Sequence, residues 1–236
     1  MNKMVEDKPA FLERQNFAKD IIVYIKQMII SGALKPGDRI VETKLAKELG
    51  ISQTPVREAI RMLQGEGIIT IVPNKGPMVC NLDLKDVFEI YSIRSIIEGF
   101  AIRLACQRAA DQEIADLESF YNKMKIKLND QSVEYLLDDS FQIHNKIIDL
   151  SGHSHLIATY QSLPFKISLI NRVLGTKKTK EDEIHQHGEL IDAMKRRDPD
   201  HAEMTMRRHI YRSYNDFIEL NCIDENAEEI GEKLWF

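Results

Sequence analysis

Residues 42–79 leave the chain few folds to choose from. Glu42 to Leu49 carries Leu45, Ala46 and Leu49 on one face of a short helix, and Gly50 ends it. Ser52 stands at the cap of the next helix. Pro55 falls in that helix's first turn, where a missing N–H is tolerated. Val56, Ala59, Ile60 and Leu63 then recur at i, i+3, i+4 and i+7, one dry stripe, while Gln53, Thr54, Arg57 and Arg61 fall on the opposite side. After Gly65 and Gly67, the apolar segments Ile68–Val72 and Pro77–Val79 flank Asn74-Lys75-Gly76, which reads as a hairpin tip. Upstream, Phe17, Ile21, Ile22, Ile25, Met28 and Ile29 keep helical spacing up to Ser31-Gly32, and Lys35-Pro36-Gly37-Asp38 makes a turn. Three short helices followed by a hairpin describe a winged helix-turn-helix.

A helix with an apolar back and an arginine-bearing front can enter the major groove, where Arg grips guanine or phosphate and Gln pairs with adenine. An ordinary solvated helix shows the same charges. The helix-glycine turn before it and the glycine-and-lysine wing after it distinguish this one, because a wing reaches the minor groove or phosphates. The candidate DNA contacts are therefore Ser52, Gln53, Thr54, Arg57 and Arg61 on the helix, with Lys75 and Gly76 on the wing. The charge distribution agrees. Residues 1–79 hold 12 of the 32 Lys and Arg and 9 of the 37 Asp and Glu, a net of +3 that leaves −8 for the rest. A mildly basic head on an acidic body suits DNA binding by the head alone.

From Asp83 onward the pattern is helical throughout. Breaks are expected at Asn129-Asp130, Ser151-Gly152, Gly175-Thr176 and Asp198-Pro199, and no internal repeat is evident. The expected fold is mainly α: a winged helix-turn-helix over residues 1–80, then an all-helical bundle over 81–236 that senses a ligand and dimerises. The acidic tail after Leu220 is expected to fray, with Trp235 and Phe236 able to dock. At 43% hydrophobic and 29% charged residues the composition is that of a soluble globular protein. Three scattered cysteines, Cys80, Cys106 and Cys222, form no CxxC pair. They argue against a disulfide framework or thiolate zinc site and for the reducing cytoplasm. The charged N-terminus lacks a signal-peptide core, and no apolar run is long enough to span a bilayer.

Three histidines each sit in an inward-facing helical stripe. His144 goes with Leu137, Ser140, Phe141, Ile147 and Ile148. His187 goes with Leu190, Ile191 and Met194, and His209 with Ala202, Met206, Ile210 and Phe217. Each alone reads as a core histidine; together, from three helices, they form a candidate facial set for Zn²⁺, Ni²⁺ or Mn²⁺. His153, His155, His185 and His201 read as surface or capping residues.

The stretch from Leu34 to Val79 closely resembles the DNA-binding domain of the GntR superfamily. It has the proline-glycine turn, the Glu-x-x-Leu-Ala helix, the Gly-Ile-Ser-x-Thr-Pro-Val-Arg-Glu-Ala core and the Glu-Gly-Ile wing entry, all in order. The resemblance implies a homodimer on a palindromic operator, with Arg57 contacting DNA and Arg39, Thr54 and Gly76 near the interface. One departure is Gln53, where arginine is frequent in the family. The second half resembles the FCD ligand-binding domain of the FadR branch. Arg94 to Glu98 matches its opening Arg-x-x-hydrophobic-Glu, and the segments around His144, His187 and His209 match its three histidine motifs. Metal-binding members carry an aspartate four residues before the first histidine. Ser140 stands there, and the adjacent Asp139 points ~100° round the helix unless a π-bulge turns it inward. The resemblance also places Arg94 toward the pocket, where it could clamp a carboxylate; an intrahelical surface salt bridge with Glu98 is the alternative. Arg94, Glu98, Ser140 and Arg172 are the candidate effector-binding residues.

The leading expectation is a transcription regulator that binds double-stranded operator DNA and answers to a small organic acid, with a divalent transition metal in the sensor. Two other readings compete. A metal-dependent hydrolase would need a general base, for which Glu98 and Glu189 are the candidates. A DNA-binding dimer without an effector would use the helical half only to dimerise.

Overall fold

The computed structural model describes residues 10–127, 134–174, 180–220 and 235. The expected breaks at Asn129-Asp130 and Gly175-Thr176, Cys222, Phe236 and the tail apart from Trp235 lie outside the described residues. The chain divides into two compact units, Met1–Leu82 and Asp83–Phe236.

The first unit holds α1 (Ala10–Ile30), α2 (Glu42–Leu49), α3 (Gln53–Gly65), β1 (Ile69–Val72) and β2 (Gly76–Val79). The stripe Val56, Ala59, Ile60 and Leu63 is buried as its spacing predicts, and packs against Ile21, Ile22, Ile25 and Ile29 of α1. Phe17 does not join that stripe. It is 52% exposed, and Ala18 takes the inward place. In helical phase Ala18 falls within ~20° of Ile25, whereas Phe17 lies ~80° away. Gly50 ends α2 with φ 68°, a left-handed conformation that favours glycine. The strands pair antiparallel, Ile69 with Val79 and Val72 with Gly76, around a tip in which Asn74 (φ 63°) and Gly76 (φ 83°) are both left-handed. A bridge between Arg39 and Met78 adds the stretch before α2 to the edge of this wing.

Ser52 occupies the N-cap of α3 as expected, but its side chain makes no capping hydrogen bond. The reason is Pro55. It stands at the third helical position, whose N–H a cap side chain commonly accepts, and proline has none.

The second unit is α4 (Leu84–Arg108), α5 (Asp111–Ile126), α6 (Glu134–Leu150), α7 (Ser154–Tyr160), α8 (Leu163–Leu174), α9 (Lys180–Lys195) and α10 (Pro199–Leu220). Asp83 and Asp86 cap α4 reciprocally, each carboxylate accepting from the other's backbone N–H at 2.9 Å. α4 packs along α10 and also meets α6, α7, α8 and α9, so it is the central helix of the bundle. Gly99 permits this closeness: a Cβ there would sit 3.1 Å from the Arg207 side chain. The break at Ser151-Gly152 is present, and the N–H of Leu156 donates to His153 Nδ1, which caps α7. Trp235 is buried, its ring against Phe88, Tyr211 and Tyr214. Among the described residues no helix is long and apolar enough to cross a membrane.

Candidate metal centre and DNA-reading face

α6, α9 and α10 each bring one fully buried histidine to the same point. His144, His187 and His209 are at most 2% exposed, and their ring centroids lie 4.8 to 5.1 Å apart. His144 Nε2 is 3.2 Å from His187 Nε2 and 3.1 Å from His209 Nε2. Ligands at ~2.0–2.1 Å from one ion are ~2.9 Å apart at octahedral angles and ~3.3 Å apart at tetrahedral ones, so these separations suit ligands of a common ion.

The hydrogen-bond partners assign two of the tautomers. Nδ1 of His187 is 2.6 Å from the backbone carbonyl oxygen of Glu183, which can only accept, so this Nδ1 carries the proton. Nδ1 of His144 is 2.5 Å from Glu98 Oε2, an approach off the ideal N–H direction but again toward an acceptor. In the neutral imidazoles both Nε2 atoms therefore carry lone pairs, and these face each other at 3.2 Å. Facing lone pairs repel unless a cation lies between them. The carboxylate and the carbonyl stand where outer partners of metal-bound histidines stand.

Glu98 connects this centre to α4. It is wholly buried, accepts from Arg94 Nε at Oε1 (2.6 Å), and faces His144 with Oε2. Burial alone would raise its pKa; the Arg94 guanidinium and then His144 outweigh that and hold it at about 2. The Arg94–Glu98 pair is thus intrahelical, as the spacing allowed, but buried rather than on the surface. A carboxylate held so low is a poor general base at neutral pH. Glu189, the other candidate base, is paired with Arg212 at 2.7 Å.

Ser140 is buried one turn before His144, and Asp139 turns elsewhere, its carboxylate 2.7 Å from Lys127 Nζ. Among the described residues the histidines alone form a metal-ligating cluster. Arg172 lies on α8, and its side chain falls outside the described residues. Two features escaped the sequence reading: the Glu183 carbonyl, which no side-chain pattern encodes, and Tyr160, whose place beside Glu98 and Arg94 depends on how α7 packs on α4.

On the first unit, Ser52, Gln53, Thr54, Arg57 and Arg61 are all exposed on the face of α3 opposite its buried stripe. Arg57 donates from Nε to Glu42 (2.6 Å) and from Nη2 to Gln53 Oε1 (3.3 Å). Such half-exposed ion pairs contribute little, ~0–1 kcal/mol, so a phosphate or base can displace Glu42. Arg39 is exposed beside Gly76, where a Cβ would lie 3.9 Å from its guanidinium, and Lys75 is exposed at the wing tip.

A winged helix-turn-helix followed by a helical bundle with a buried polar centre defines a ligand-responsive DNA-binding regulator. Comparison with known proteins places it further. The family model for bacterial regulatory proteins of the gntR family matches residues 17–79, and that for the FCD domain matches residues 89–212. The Nta operon transcriptional regulator of Aminobacter aminovorans is 32% identical over 194 residues, covering 82% of this chain and 90% of the relative. The gluconate operon transcriptional repressor of Bacillus licheniformis is 24% identical over 212 residues, covering 87% and 85%. Among solved structures, E. coli McbR/YncC shares the fold with a TM-score of 0.71 at 22% identity, over 86% of this chain and 97% of that one. The chain belongs to the GntR family of transcriptional regulators and carries an FCD effector-binding domain; it is a regulator of operator DNA under small-molecule control and not an enzyme.

Proposed function

We propose that this regulator senses a small carboxylate through a divalent transition metal held by His144, His187 and His209. The observation that carries this reading is the convergence of three buried histidines, with His144 Nε2 3.2 Å from His187 Nε2 and 3.1 Å from His209 Nε2. Three neutral imidazoles leave the ion its full charge and an open coordination position, because Ser140 replaces a carboxylate there. An effector carboxylate can fill that position; Arg94, paired with the Glu98 that faces His144, is the candidate side chain to receive it. Zn²⁺, Ni²⁺ and Mn²⁺ all accept imidazole ligands.

On DNA, we assign operator contact to Arg57, Gln53, Thr54, Arg61 and Ser52 of α3, and to Arg39, Lys75 and Gly76 at the wing. Two copies would read a palindrome. For the second copy we assign the outer face of α4, where Ile93, Ile96 and Phe100 are 49%, 56% and 42% exposed at i, i+3 and i+7. Effector binding would change operator affinity by a coupling of ~1–3 kcal/mol.

Elemental analysis of untagged protein, purified without chelator, tests the metal. The wild type should carry one divalent ion per chain and the triple alanine variant of the histidines none. Equal content in both removes the site.

A further inference from the structure

The outer faces of α9 and α10 reverse the charge of the unit that carries them. On α10, His201, Thr205, Arg208 and Arg212 recur at i, i+4, i+7 and i+11, one stripe; on α9, Glu189, Asp192 and Arg196 recur at i, i+3 and i+7. Between the two stripes runs a groove of about 270 Å³, with the fully buried Ala193 at its floor. It holds three arginines against two carboxylates, a net of +1 with His201 neutral, whereas residues 80–236 carry a net of −8. One arginine is neutralised within the groove: Arg212 donates to Glu189 at 2.7 Å. The side chains of Arg196, Arg208 and His201 are exposed and make no hydrogen bond or ion pair among the described residues. Cations gathered on one groove repel one another and draw in an anion. A phosphoryl group suits them, because its oxygens match planar guanidinium donors in geometry as well as charge. The groove also offers acceptors. Asp192 is exposed and in no hydrogen bond or ion pair among the described residues. The Thr205 hydroxyl gives its hydrogen to the His201 carbonyl oxygen and keeps lone pairs. Acceptors beside a phosphate site recognise hydroxyl groups. The volume lies below the ~300–1,000 Å³ of sites for drug-sized ligands, so the occupant is small.

We propose that the α9–α10 groove binds a small phosphate monoester of a sugar or polyol, with Arg196 and Arg208 on the phosphoryl group and Asp192 on a hydroxyl. The site is separate from the histidine centre and does not depend on the metal reading. A ligand held across it ties together the two helices that carry His187 and His209 on their buried faces.

The test is calorimetry on the full chain in a phosphate-free buffer, with glucose 6-phosphate, inorganic phosphate and glucose as probes. Wild type should bind glucose 6-phosphate saturably, inorganic phosphate more weakly, and glucose not measurably. Arg208→Ala and Arg196→Ala should each weaken glucose 6-phosphate roughly ten-fold. Arg208→Lys keeps the charge and loses the fork, and should fall between wild type and Arg208→Ala. Lys85→Ala removes an exposed cation on α4 and should stay within about two-fold of wild type. A wild type that binds neither phosphate overturns the proposal, as does unchanged affinity in either arginine-to-alanine variant. An equal loss in Lys85→Ala also overturns it, since the effect is then one of net charge. So does glucose 6-phosphate binding no tighter than inorganic phosphate. Weaker binding of a random-sequence duplex by Arg208→Ala, with no sugar phosphate bound by wild type, overturns it in favour of a contact to nucleic-acid backbone.

Discussion

At the scale of single residues, the sensor depends on which atom of each imidazole holds a proton. Glu98 and the Glu183 carbonyl fix His144 and His187 with Nδ1 protonated, and this leaves Nε2 of both for a cation. The same scale decides the role of the serine. Ser140 and His144 are one turn apart on α6, so a carboxylate at 140 would lie on the histidine's face and cancel part of an ion's charge. Ser140→Asp should tighten metal binding in a competitive chelator titration, and should weaken an acidic effector by occupying its coordination position. Asp139→Ala should leave metal affinity unchanged, because that carboxylate sits on Lys127. Loss of metal by Asp139→Ala, with no gain in Ser140→Asp, would contradict this account of the pocket. On the DNA side, Arg57→Ala should weaken operator binding by about 1–3 kcal/mol, read by fluorescence anisotropy at fixed salt. A folded variant with wild-type affinity would remove Arg57 from the interface.

Among the elements, α3 was the most legible in the sequence, and for a physical reason. Its stripe, its proline and its flanking glycines are local signals, and the tertiary structure has only to agree with them. Leu63 is fully buried there, so Leu63→Ala should destabilise the first unit by about 2–5 kcal/mol in denaturant unfolding. The three histidines were legible as stripes on separate helices and as a candidate set of ligands, while their convergence is a tertiary fact, since spacing within one helix says nothing about its neighbours. Phe17 and Ser52 mark where local reading failed. Helical phase turned the first outward, and Pro55 deprived the second of a customary donor. Tyr160 carried no local signal at all, because its partners come from α4. On α4 itself, the outward row Ile93, Ile96 and Phe100 bears on assembly. Ile96→Glu should shift sedimentation from dimer to monomer and weaken operator binding with it; an unchanged sedimentation coefficient would move the second copy off this face.

As a whole molecule, the chain joins a DNA-reading unit to a sensing bundle, the combination its GntR and FCD matches describe. Coupling between the two is reciprocal: an effector that lowers operator affinity by some factor must itself bind less tightly, by the same factor, to the DNA-bound form. The net charge of −5 with a basic head fits a molecule that presents one end to DNA. All of this turns on the buried centre. X-ray absorption at the K-edge of the bound metal tests it most directly. The account predicts three imidazole nitrogens at about 2.0–2.1 Å with the remaining shell oxygen. Sulfur in the shell, or fewer than three imidazoles, would contradict it.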